Sequence, residues 1–267
     1  MTQRMAFPLP LCLILAGCGG SLTRHGPIDP ALAVFIPPDT VALAGVRVEL
    51  RATPIYRKLE RENRLPRLGQ FTSRDIHNML LASDGAHVLA ITRGTYPAKP
   101  AGDPGGTEYK GFTLYGESES VRAAIKQYES GGRGAPRDLM ARAEALPADA
   151  QIWAVVAGWR GATPDQLREM GNLGNLDRVL RLVEGASLTV DLRSGAHAAF
   201  TSDSRTEADA KTLADSLRGL AALARMAVQS KQPDLLRALD GIQVKQAGRV
   251  VQVNVDMAED LAEKLVR

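Results

Sequence analysis

Cysteine is almost missing from this chain, with Cys12 and Cys18 the only two in 267 residues. So little sulfur excludes a disulfide-stapled scaffold and a multi-cysteine zinc site. Aromatic residues make up 4% of the sequence, too few for a surface that stacks bases. Charge of one sign is also lacking: 33 Lys and Arg face 30 Asp and Glu, a formal net charge of +3. That balance argues against nucleic acid or an acidic substrate as the partner. Long hydrophobic runs are absent too, which excludes a polytopic membrane protein. What remains is 45% hydrophobic and 24% charged residues, the composition of a folded chain with a real core.

The first twenty residues carry an address. Arg4 supplies a positive start, and Met5 to Leu15 is an apolar stretch of eleven residues interrupted by Pro8 and Pro10. That is too short to span a bilayer as a helix. Leu15-Ala16-Gly17-Cys18 follows, with small residues before the cysteine that suit a peptidase cleft. This tetrapeptide resembles the lipobox of bacterial lipoproteins. The resemblance implies that residues 1–17 are a signal peptide and that Cys18 receives a diacylglycerol and is usually acylated on its new amino group. Two or more chains give a durable membrane anchor. It also implies that Cys12 leaves with the leader, so the mature chain holds no free thiol. Loss of Arg4 lowers the charge to +2. Gly19 stands where inner-membrane lipoproteins carry a retention Asp, which points to the periplasmic face of the outer membrane in a two-membrane cell. Residues 18–31, with Gly19, Gly20, Pro27 and Pro30, read as a tether.

Beyond the tether the chain repeats itself. Ile36-Pro37-Pro38-Asp39 is echoed by Leu146-Pro147-Ala148-Asp149, Ala44 by Ala154, Val46 by Val156, and Ala52-Thr53-Pro54 by Ala162-Thr163-Pro164, all at an offset of 110. Each copy reads as a turn, an apolar strand, and a helix opened by a Thr cap and a Pro at its first position. Further on, Asp84-Gly85-Ala86 matches Glu184-Gly185-Ala186 at an offset of 100, and a hairpin follows in each copy. Ser118 is expected to cap a helix over 119–129, and Ser204 with Glu207 to form a capping box for 205–228. Alternation at Ile242–Lys245 and at Val251, Val253 and Val255, then Asp256 with Glu259, predicts a closing hairpin and helix. The expected fold is α+β: antiparallel sheets with helices on one face. Two copies of a β-α-β-β-α unit, residues 32–133 and 134–267, are expected, the second ending in a β-β-α half unit.

Chemistry is sparse. Phosphate-loop, dinucleotide, zinc-protease and nucleophile-elbow patterns are all missing. His87 and His197 both follow Gly-Ala at hairpin strands, but the register above sets His87 against Ser187 and makes that correspondence accidental. His25 and His77 have no evident partners, and the acidic residues form no shared-face pair. Trp153 and Trp159 fall on one face of a regular strand, which fits a ligand-pocket wall or core packing. No cofactor, metal or catalytic residue is implied.

These features lead to a lipid-anchored cell-envelope protein. It meets the membrane through Cys18, has an envelope partner of unknown identity, binds no nucleic acid, and acts as a non-enzymatic binding or structural module. One alternative is a small-ligand binder using a cleft between the copies, which a deep inter-copy pocket would favour. Another is a hydrolase assembled from distant residues, which needs a buried His–carboxylate pair with a nearby Ser in one cleft.

Overall fold

The computed structural model describes residues 26–47, 52–61, 78–93, 106–132, 134–157, 181–228 and 232–265. The leader, Cys18, residues 18–25 of the tether, His25, His77, Trp159 and the second Ala-Thr-Pro word lie outside the described residues.

Within them the chain runs α1 (Pro30–Ala33), β1 (Ala42–Arg47), α2 (Pro54–Arg61), β2 (Asn78–Ser83), β3 (Val88–Arg93), β4 (Thr107–Tyr109) and β5 (Phe112–Tyr115). It continues through α3 (Ser118–Glu129), α4 (Arg137–Glu144), β6 (Ile152–Ala157), β7 (Val183–Asp191) and β8 (Ala196–Ser204). The last elements are α5 (Glu207–Ala227), α6 (Pro233–Asp240), β9 (Ile242–Ala247), β10 (Val250–Met257) and α7 (Glu259–Leu265). The class is α+β. All ten strands form one antiparallel sheet in the order β4-β5-β3-β2-β1-β6-β7-β8-β10-β9.

Local chemistry explains the element ends. Asp29 accepts from the Ala31 N–H at 2.9 Å and Pro30 opens α1. The Thr53 hydroxyl accepts from the Tyr56 N–H at 3.3 Å ahead of Pro54, the expected start of α2. The cap of α5 is Thr206, which accepts from the Asp209 N–H at 3.0 Å. Ser204 does not cap: it is the last residue of β8 and its hydroxyl is buried without a partner. Ser118 does not cap either; Glu117 holds the N-cap position of α3 without a side-chain bond.

Strand alternation divides the core in two. Leu43 of β1 and Trp153 and Val155 of β6 point to one face, where α3 and α4 bring Val121, Ala124, Leu139 and Ala143. Val156 points to the other face and joins Ala186, Phe200 and Val251 beneath Ala210, Leu213 and Ala214 of α5. Helices therefore cover both faces of the sheet, not one. The cause is a change of hydrophobic phase: the first-face positions of the later strands are Ser187, Thr201 and Gln252, a polar row that gives a helix nothing to bury against. α7 packs on α2 and α6, and Lys58 donates to the Glu263 carbonyl.

Register corrects a second expectation. Asp84-Gly85-Ala86 forms the β2–β3 turn, whereas Glu184-Gly185-Ala186 lies inside β7. β2 pairs β1 as β7 pairs β6, so β2 is the counterpart of β7 and β3 of β8. Leu89 on Ala82 then corresponds to Ala199 on Thr189, which returns β3 and β8 to the offset of 110. β2 carries no alternation signal because Met79, Leu80 and Ala82 are buried on both faces of an interior strand.

Candidate functional site

β1 and β6 meet at a seam where Ala42, Ala44, Ala154 and Val156 share one face. Small side chains there leave a concavity of about 370 Å3. Leu81 and Val88 come from one side and Leu188 and Phe200 from the other, so strands of both halves build it. Among the described residues no titratable side chain lines it, and its volume falls at the lower end of the roughly 300–1,000 Å3 of small-molecule sites.

α5 stands beside this groove. Arg218 donates to the Val244 carbonyl of edge strand β9 at 3.3 Å, and Arg225, seven residues on, donates to the Leu239 carbonyl at the end of α6 at 2.8 Å. Both anchor one flank of α5 to the β9 side. Leu220 and Leu223 lie on another flank of the helix and are 45% and 60% exposed.

Two further cavities lie at opposite ends of the sheet. One, of about 290 Å3, holds Asp39, Asp84, His87, Glu117 and Glu119; the other, of about 280 Å3, holds Asp149, Asp191, Arg193, His197 and Asp256. Pro37, Asp39 and His87 in the first correspond to Pro147, Asp149 and His197 in the second at the offset of 110. The histidine correspondence is therefore real, and the Gly-Ala-His words at 85–87 and 195–197 were the signal that would have found it.

His87 Nδ1 lies 3.1 Å from Asp84 and Nε2 3.4 Å from Glu117. The hydrogen bond to Asp84 and the nearby charge of Glu117 push its pKa above the ordinary value. Asp84 is lowered to about 2, chiefly because it accepts the His87 backbone N–H. His197 Nδ1 lies 3.0 Å from Asp256, and that hydrogen bond raises its pKa. Arg193 bridges Asp149 and Asp191 and lowers both carboxyls.

This chemistry does not make a nucleophile and base. Both histidines are about two-fifths exposed. Each nitrogen of His87 already faces a carboxylate, and the nearby Ser83 hydroxyl donates to the His87 carbonyl at 2.7 Å, not to the ring. Among the described residues no three His, Cys, Asp or Glu converge to hold a metal ion. Trp153 is 2% exposed in the first core, on the face opposite the groove, and does not line it. In the sequence the tryptophans are the pocket-wall signal; the wall is mostly alanine, leucine and valine, with Phe200 its one aromatic among the described residues.

The described residues form an α+β fold whose single ten-stranded antiparallel sheet carries an apolar groove at the β1–β6 seam. No family model matches the chain, and no curated protein does. Among solved structures it is similar to crystal forms I and III of TP0453, at 10% identity in each case. These cover 90% of this chain and 95% and 98% of theirs, with TM-scores of 0.46 and 0.49. No helix among the described residues is long and apolar enough to cross a membrane.

Proposed function

We propose that this is a lipid-anchored protein of the bacterial cell envelope, held through Cys18, that acts as a non-enzymatic binding module for an apolar ligand. The observation that carries the binding reading is the seam groove: about 370 Å3, lined from both sides of the β1–β6 seam, with no titratable side chain among the described residues. A pocket of that lining rejects charged groups, because nothing in it would compensate their desolvation. The support for the anchor is the Leu15-Ala16-Gly17-Cys18 word behind its short apolar stretch.

Two measurements test the two parts. Metabolic labelling with a fatty acid is expected to mark the wild type and not Cys18→Ser; an unlabelled wild type ends the anchor. Binding of the apolar dye N-phenyl-1-naphthylamine is expected to weaken at least about tenfold in Ala154→Phe, which fills the groove floor without entering either buried core cluster. Equal binding by both proteins removes the groove as the site.

A further inference from the structure

We propose that protonation of His87 sets the fit of the seam groove, by clamping the β2–β3 hairpin end that forms one of its walls. The inference rests on the groove being the binding site.

The hairpin end is a shared partition. Ala82, Ser83 and Val88 line the groove, while Ala82, Ser83, Asp84 and His87 line the acidic cavity behind it. Ser83 ties the two together, since its hydroxyl donates to the His87 carbonyl at 2.7 Å and accepts the Gly85 N–H at 3.1 Å. Any displacement of the His87 backbone is therefore passed to a residue of the groove wall.

His87 in turn is held from two elements. Nδ1 faces Asp84 in its own turn and Nε2 faces Glu117, the N-cap residue of α3. α3 is fixed by Val121 and Ala124 in the first core, so the contact to Glu117 pins the hairpin end to a rigid helix. Only the imidazolium donates from both nitrogens. Neutral His87 keeps one donor and turns a lone pair toward the other carboxylate, and one side of the clamp opens. The charged groups around it are Asp39 from the segment before β1, Asp84 from the turn, and Glu117 and Glu119 from the start of α3. All are acidic, and among the described residues no Lys or Arg lines the cavity to offset them. The carboxylates raise the folded-state pKa of His87. The clamp is thus complete below the ordinary histidine range and lost as pH rises through the raised value.

His197 is the built-in control. It occupies the corresponding position and pairs with Asp256, but its Nε2 meets the Ser194 carbonyl, and its cavity shares no residue with the groove.

The test measures the affinity of the purified full chain for N-phenyl-1-naphthylamine from about pH 5.5 to about 8.5, beside NMR titration of both imidazoles. Expected is a loss of about two- to fivefold as pH rises, the size one surface ion pair supplies, with the midpoint of His87. His87→Gln abolishes this dependence, His197→Gln leaves it intact, and Glu117→Gln moves the midpoint down. A flat profile in the wild type, a dependence that survives His87→Gln, or equal loss in His197→Gln overturns the clamp. Should the dye bind at no pH, the groove reading fails by itself, and the Val88 methyl signals then decide the clamp. Movement with the His87 midpoint supports it, and invariance overturns it.

Discussion

Ala44 and Ala154 face each other across the β1–β6 seam, and 110 residues separate them, the spacing that relates the two halves of the sequence. A pair formed by equivalent residues marks a local two-fold axis. The flanking pairs Leu43–Val155 and Gly45–Trp153 are then counterparts of each other, yet one is two medium side chains and the other none and an indole.

That asymmetry makes Gly45 sensitive. A Cβ built there would overlap the Trp153 ring. Gly45→Ala is expected to cost about 1–3 kcal/mol by overpacking, and Trp153→Ala about 3–5 kcal/mol by leaving a cavity. Urea unfolding of each variant reads the cost, and a neutral Gly45→Ala would show that the ring lies elsewhere.

Two leucines of α5 are expected to separate by burial. Leu213 is 1% exposed beneath the second core and Leu223 is 60% exposed. Leu213→Ala is expected to lose about 2–5 kcal/mol and Leu223→Ala to stay within about 0.5 kcal/mol. Denaturation midpoints with unchanged slopes check both.

The start of α5 offers a cleaner contrast. Thr206→Ala removes the cap and is expected to cost about 1 kcal/mol. Ser204→Ala removes a buried hydroxyl that has no partner and is expected to be neutral or stabilising. A larger loss at Ser204 would restore the Ser204–Glu207 capping box read from sequence.

At the far end of the sheet, His197 is expected to titrate above an ordinary histidine because it donates to Asp256. Its raised folded-state value means the contribution is full at pH below about 6.5 and fades as pH climbs through the raised value. In Asp256→Asn the imidazole midpoint is expected to fall, and an NMR titration that shows no fall removes the pairing.

Several elements were legible from the chain because their signals are local. Thr53-Pro54 announced α2, and the alternation of Val251, Val253 and Val255 announced β10. β2 gave no such signal, since a strand covered on both faces loses its polar positions. The candidate site was hardly legible: Trp153 drew notice by size and proved to be core, while the groove depends on alanines, which carry no mark in a sequence.

The sequence by itself determined the α+β class, the Thr53 cap of α2, the β7–β8 and β9–β10 turns and the spacing of 110 between matching words, because each follows from residues near one another or from identical words. Only the tertiary structure decided that the halves share one sheet, that α4 and α5 lie on opposite faces, and that His87 and His197 are equivalents. Those depend on strand register and on which side chains find an apolar partner across the sheet. A shift of one residue reverses the face, and nothing local reports it.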